Sequence, residues 1–365
     1  MNYLHVFPQE NIHQSIEISI SSNEFVEYLD LSDSSINTIS HDILKLPYIK
    51  GINLSNNPNI DIQQVFSVLE KLDNLKLLWI NNCEIEDLPD SINNLKNIEI
   101  LSMEDNRLVN LKIQDSLKIK QLKCSNNRLN YLEITNCPNL EHIDCSSNLI
   151  EKLCLDSLPV LESLHANGNH LQEYSIDNLP NLQSAWLCDN KLENIVIQNH
   201  TKLEFLELSC NSLHSIRLSR LRLLNRIECQ INQIEELYFE DLPNLERLDI
   251  SRNNLETIVL PDSVNLDTLL CNQNNIKTIK IDNPINLERL ECGWNKIANF
   301  DFSEYLNLMY LRIENCEIEN IDLSTCSKLN YLNVTNSPRL KNLTILKGNI
   351  IRILNTDPTL KINEV

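Results

Sequence analysis

The sequence predicts an α/β-type repeat solenoid, mostly β, in which one short unit is copied about fifteen times. Two observations predict it. Between Ile119 and Ile134, apolar residues fall at Ile119, Leu122, Cys124, Leu129, Leu132 and Ile134, with Asn127 between the two halves. That spacing then returns in phase. The first apolar position recurs at Ile98, Ile119, Leu140, Leu161, Leu182, Leu203, Leu224, Leu245, Leu266, Leu287, Leu308 and Leu329, eleven intervals of 21 residues without an insertion. Val26, Ile49 and Leu75 open three looser units of 23, 26 and 23 residues ahead of them. Chance does not hold a phase for more than 200 residues, so one supersecondary unit is being stacked.

Ile119-x-x-Leu122-x-Cys124-x-x-Asn127-x-Leu129 fits the pattern L-x-x-L-x-L-x-x-N-x-L, which resembles the leucine-rich repeat over roughly residues 24 to 345. Leu129-x-x-Leu132-x-Ile134 repeats the spacing of the first half, and this nested 21-residue form is similar to the bacterial "IRREKO" type. The resemblance implies a right-handed, curved solenoid with a parallel sheet on its concave side, short strands or turns on its convex side and few helices. It also implies partner binding, with no particular partner.

Residues 1–23 do not fit the repeat. Ile16, Ile18 and Ile20 alternate with polar residues, as one edge strand would. Because the end of a stack exposes its apolar face, 1–23 is expected to be an N-terminal cap on the array 24–345. In the looser units, Val65, Val68, Leu69 and Leu72 have helical spacing, which predicts a short helix on the return. Leu88-Pro89-Asp90-Ser91-Ile92 reads as a turn with Ser91 as a helix cap. In the tight units, positions one, four and six point inward and the residues between them outward, as strand alternation demands. One unit cannot bury its own leucines; the next unit, stacked about 4.8 Å away, buries them and pairs the strand edges.

Position nine holds Asn57, Asn106, Asn127, Asn148, Asn169, Asn190, Asn211, Asn232, Asn253, Asn274 and Asn295. Each amide can both donate to and accept from turn backbone, so these asparagines are expected to form a structural ladder. A 21-residue unit is too short for a full return helix, so the returns are expected to be short strands and turns. Pro138, Pro159, Pro180 and Pro243 mark the turn before the next strand, since proline cannot donate to a ladder. The phase slips by one residue near Ser337-Pro338-Arg339. Residues 346–365 keep apolar side chains but lose the pattern, and are expected to be a C-terminal cap.

Composition narrows the function. The formal charge is −20, which repels nucleic-acid phosphates and anionic membrane surfaces and favours a basic or mixed-charge protein partner. Four glycines leave little room for Gly-rich phosphate loops. The longest apolar run is a handful of residues, so no membrane span is expected. Met1 to His13 lacks a basic start and an apolar core, so no secretory signal is expected. Cys124, Cys145, Cys229, Cys271 and Cys292 occupy inward position six, and Cys83 and Cys316 replace the position-nine Asn. Buried thiols of this kind behave as small apolar side chains, so a reduced, cytoplasmic chain is expected, or one delivered into a host cell without a signal peptide. No pair of Cys or His has zinc-finger spacing, and neither metal nor cofactor is expected.

The outward strand positions carry the candidate site. The partner-binding candidates on or beside this face are Trp79, His142, His165, Trp186, Phe205, Arg226, Arg247, Arg289, Trp294, Tyr310 and Arg312. All three tryptophans fall at outward positions, where exposed Trp, Tyr and Arg are typical binding hot spots. His142, His165, Trp186 and Phe205 fall on four successive strands, which would group them. Arg226, Arg247 and Arg289 face a column of Glu207, Glu228, Asp249 and Glu291, an arrangement that suits cross-strand pairing as well as binding. Asp144 and His165 should be neighbours, but no nucleophile or further ligand converges on an open surface, so neither catalysis nor a metal site is expected.

These readings favour a non-enzymatic, monomeric scaffold that binds a protein partner on its concave face. The alternatives are a bacterial effector or surface-type leucine-rich-repeat protein that binds a host protein, and the targeting arm of a larger enzyme such as a ubiquitin ligase. The last resembles this chain only in its repeats and would need a catalytic domain that about twenty residues at either end do not supply.

Overall fold

The structure is a computed structural model that describes residues 3–5, 25–176, 178–261, 264–354 and 358–365. The edge strand expected around Ile16–Ile20 lies outside the described residues. The chain divides into two compact units, one of residues 1–171 and 178–182, the other of 172–177 and 183–365. Each is a parallel β solenoid, the first opening with the looser repeats and both continuing on the 21-residue period.

In the first unit, three-residue strands at Tyr3–His5, Tyr28–Asp30, Gly51–Asn53, Leu77–Trp79, Ile100–Ser102, Gln121–Lys123, His142–Asp144 and Ser163–His165 pair in parallel, each with the next. The pairing joins equivalent positions of successive repeats, so one column of side chains runs straight across the strands. A second row of Asn110–Gln114, Tyr131–Thr135 and Lys152–Asp156 covers the return side. The second unit repeats the plan. Its main row runs from Ser184–Trp186 through Phe205–Glu207, Arg226–Glu228, Arg247–Asp249, Thr268–Leu270, Arg289–Glu291, Tyr310–Arg312 and Tyr331–Asn333 to Arg352–Leu354. Its return side holds Asn194–Gln198, Ser215–Ser219 and Glu236–Glu240, then Thr257–Leu260 with Thr278–Ile281, then Asn320–Leu323, Asn342–Ile345 and Lys361–Glu364. Past residue 345, where a cap was expected, Arg352–Leu354 and Lys361–Glu364 extend both rows by one strand.

The core is the stacked set of inward positions. Leu140, Ile143 and Cys145 are fully or almost fully buried, as are their equivalents in other repeats. The helix expected in the looser units is present at Ile62–Leu69. Asp61 caps it by accepting from the Gln64 N–H, and Val65, Phe66, Val68 and Leu69 form its buried stripe. Ser91 is not a cap. It lies inside a 3-10 turn, Asp90–Asn94, whose N-cap is Pro89, a residue with no side chain able to accept.

The position-nine asparagines form the expected ladder. Asn148 donates from Nδ2 to the Cys124 carbonyl of the preceding repeat at 3.0 Å and to Cys145 O of its own repeat at 3.1 Å, while its Oδ1 accepts from Leu129 N–H at 3.0 Å. Each rung thus satisfies buried backbone on two repeats at once. Where cysteine replaces asparagine, the thiol takes over the donation, Cys83 Sγ to Leu54 O and Cys316 Sγ to Cys292 O. Ser337 continues the ladder, with Oγ 3.5 Å from Ile313 O.

A second asparagine ladder, not anticipated from sequence, runs at the residue just before each repeat. Asn139, Asn181, Asn244, Asn265, Asn286 and Asn307 each donate from Nδ2 to a turn carbonyl 22 residues earlier, Pro159 and Pro243 among the acceptors. The corners themselves are left-handed. Position eight has positive φ in repeat after repeat, at Asn126, Ser147, Gly168 and Asp189, and also at Cys210, Ile231, Arg252 and Trp294. Asn, Asp and Gly accept that conformation cheaply; a β-branched or bulky residue there is strained.

Candidate functional site

Outward residues of the main row form the candidate surface. In the second unit, Trp186 and Phe205 sit at the third and first positions of adjacent paired strands. Their ring centroids are 4.4 Å apart at an interplanar angle of 52°. The Arg226 guanidinium lies 5.4 Å from the Phe205 ring on its other side. Both rings are part-exposed and Arg226 is exposed, so the three side chains form a continuous aromatic–cationic strip on an open face.

Carboxylates hold the arginines beside this strip. Glu228, only 4 % exposed, accepts from Arg226 Nε at 2.7 Å and from Arg247 Nε at 3.0 Å through the same oxygen. Its neighbours in the column are not so compensated. Burial pushes the Glu207 and Asp249 carboxyls above their usual range, the Glu228 charge adding to both against hydrogen bonds from Ser209 and Ser251. Further along, Glu291 accepts from Arg289 and from Arg312 Nη1 at 3.3 Å, while Arg312 Nη2 pairs with the buried Glu314. Arg289 lies 4.2 Å over the Tyr310 ring, and Tyr310 stacks flat on Tyr331 at 4.2 Å. Gly293 leaves room for Glu314, since a Cβ there would come within 2.7 Å of its carboxyl.

Trp294 stands apart from the strands. It occupies the left-handed corner after Arg289–Glu291 with φ 58° and is 48 % exposed.

In the first unit, His142, His165, Asp144, Gln121, Lys123 and Ser163 line a shallow depression of about 340 Å³. His165 lies directly across from Asp144 in the strand register. Burial lowers the His165 pKa and His142 lowers it further, with Asp144 opposing. Among the described residues no group of His, Cys, Asp and Glu is arranged to hold a metal ion. Trp79 lies three repeats earlier, on the wall of a separate pocket with Tyr28, Gly51 and Asn53.

Several known proteins share this architecture. The family model described as Leucine Rich Repeat matches residues 244–266. A leucine-rich-repeat protein of Leptospira interrogans superposes over 97 % of this chain and 100 % of its own, with a TM-score of 0.63 at 20 % identity. A leucine-rich-repeat protein of Bacteroides thetaiotaomicron does so over 90 % of this chain and 52 % of its own, with a TM-score of 0.62 at 15 % identity. The chain has the leucine-rich-repeat fold. The plant peptide hormone receptor RGFR1 in complex with RGF2 is also similar, over 99 % of this chain and 69 % of the receptor, with a TM-score of 0.62 at 18 % identity. No curated protein matches the sequence.

On this leucine-rich-repeat face, the structure brings Trp186, Phe205 and Arg226 together, and separately Arg289, Tyr310 and Arg312. Arg247 is committed to Glu228. The four residues expected to group divide between the units: His142 and His165 belong to the first, Trp186 and Phe205 to the second. Sequence reading passed over Tyr331, although it shares a column with Tyr310, because its stacking depends on the register of two strands. It also passed over the return side of the second unit. There Arg217 lies 3.9 Å over the Tyr238 ring beside exposed Val259, around a cavity of about 400 Å³. Their shared position fifteen in the repeat was the available signal. Cys188, just past Ser184–Trp186, is half-buried and Cys210, just past Phe205–Glu207, is exposed, and burial with the Glu207 charge pushes the Cys188 thiol up to about 11. No helix among the described residues is long and apolar enough to cross a membrane.

Proposed function

We propose that this leucine-rich-repeat chain is a non-enzymatic scaffold that binds a protein partner through the main-row face of its second unit, with Trp186, Phe205 and Arg226 at the centre. The carrying observation is the strip itself. An aromatic pair 4.4 Å apart with a guanidinium on one ring presents large, preorganised contact area at low entropic cost. Trp294 adds support. A left-handed corner disfavours a bulky side chain, yet this one carries an exposed indole, which binding would explain.

The carboxylates around the strip and the charge of −20 favour a partner with basic or mixed-charge groups, chiefly by speeding encounter. One of the similar structures is a receptor in complex with RGF2, which fits this reading. The open face, without a nucleophile beside a base or a water-excluding cleft, argues for binding over catalysis.

The test is capture from lysate by the wild type beside a Trp186→Asp, Phe205→Asp double variant whose circular dichroism is unchanged. A partner held by the wild type and lost by the variant supports this assignment. Equal capture by both places binding elsewhere.

A further inference from the structure

The first unit carries a pocket whose chemistry differs from that of the aromatic–cationic strip. Tyr28, Gly51, Asn53, Ser55, Trp79 and Asn81 line about 240 Å³ across three successive strands. Gly51 opens it. It is one of four glycines in the chain and its backbone does not need glycine: no positive φ is recorded there. A Cβ at Gly51 would strike Tyr28 Cδ1 at 2.7 Å and Leu77 Cβ at 3.3 Å. Glycine here serves the Tyr28 ring, which lies across the space another side chain would fill; Trp79 also lines the pocket.

The polar groups in the pocket point one way. Asn53 Oδ1 accepts the Ser55 backbone N–H at 3.1 Å, and Asn81 Oδ1 accepts Glu104 N–H and Ser102 Oγ, both at 2.8 Å. A backbone N–H can only donate, so the oxygen of each amide is fixed and each Nδ2 must face away from that bond. Neither Nδ2, nor the Trp79 indole N–H, has a partner among the described residues. The pocket therefore offers donors in a lining that also holds the Tyr28 and Trp79 rings. Lys50 and Lys76, each just before one of these strands, pair with Glu27 and Glu99, and the pocket's described lining carries no Lys or Arg for an anion.

We propose that this pocket binds a neutral, hydroxyl-rich ring, a pyranose, whose C–H face stacks on Trp79 or Tyr28 and whose oxygens accept from Asn53 and Asn81. Aromatic rings supply sequence-tolerant apolar contact, and amides supply directional hydrogen bonds. The volume accommodates one sugar ring.

Saturation-transfer NMR tests it with the methyl α- and β-pyranosides of glucose, galactose, mannose and N-acetylglucosamine, beside N-acetyl-lysine amide. Two variants are compared with the wild type. Asn53→Asp keeps the acceptor for Ser55 N–H, removes the donor and adds a negative charge. Gly51→Ala places a Cβ in the Tyr28 ring space. Transfer to ring C–H protons of at least one pyranoside, weakened about ten-fold or more in whichever variant retains its circular dichroism, supports the site. No transfer to any pyranoside overturns it, as does equal transfer in the folded variants. Transfer to the lysine amide that rises in Asn53→Asp also overturns it, in favour of a basic peptide side chain.

Discussion

Asn148→Ala removes a complete rung of the ladder, and its cost can be worked from the rung's bonds. In the wild type, Asn148 is buried, accepts from Leu129 N–H, and shares two amide hydrogens among Cys124 O, Cys145 O and Ser146 O at 3.0 to 3.1 Å. Alanine leaves the Leu129 N–H and at least one carbonyl buried without a partner. An orphaned buried group costs roughly 1–3 kcal/mol, so the expected loss is about 3 kcal/mol. Asn148→Cys should cost about half as much, because a thiol at this position donates to the preceding strand, as Cys83 does to Leu54 O. Stacked repeats need not unfold in one step, so the direct assay is native-state hydrogen exchange at Leu129, supported by guanidinium unfolding. The Asn148→Ala variant should exchange Leu129 about a hundred-fold faster, with Asn148→Cys between it and the wild type. A loss below about 0.5 kcal/mol, with Leu129 protection unchanged, would refute the two-repeat role of the rung.

Three further outcomes follow from the same geometry. Glu207 and Asp249 have folded pKa values above their unfolded ones, so their stability contribution is fully present below the unfolded carboxyl value of about 4 and is lost as pH rises through the folded value. Glu207→Gln and Asp249→Asn, which keep the acceptors for Ser209 and Ser251, should therefore raise Tm at pH 7 and not at pH 4; an equal gain at both would contradict the titration argument. Trp294→Asn and Ile231→Asn should each stabilise the fold by about 1 kcal/mol by relieving left-handed backbone strain. Of the two, Trp294→Asn should also weaken partner capture; unchanged or lower stability in both would remove the strain argument. Iodoacetamide at pH 8, mapped by mass spectrometry, should label exposed Cys210 before Cys188, whose thiol burial holds protonated; the reverse order would contradict the burial effect.

The repeat was legible because its cause is periodic. Inward leucines and the position-nine asparagines each answer the same local demand every 21 residues, so sequence phase alone places them. The second asparagine ladder obeyed the same period at Asn139, Asn181, Asn244 and Asn265, but lysine, leucine or valine interrupts it at Lys118, Val160, Lys202 and Leu223, which masked the pattern. The candidate site was legible only as columns. Register put Trp186 beside Phe205 and Arg226 beyond it, as counting positions implies. Counting does not say which carboxylate an arginine chooses. Arg226 and Arg247 converge on one oxygen of Glu228, whereas Arg312 spans Glu291 and Glu314, because side-chain reach decides between equivalent neighbours. The Gly51 pocket was equally hidden, since its meaning lies in the Tyr28 ring that crosses it.

The most direct test of the binding account is hydrogen-exchange mass spectrometry of the chain with its captured partner. Protection should concentrate in peptides covering 184–186, 205–207 and 226–228, and should disappear with the Trp186→Asp, Phe205→Asp variant. Protection confined to the return strands at 194–198, 215–219 and 236–240, with the main row unchanged, would contradict it and move the interface to the side that carries Arg217 and Tyr238.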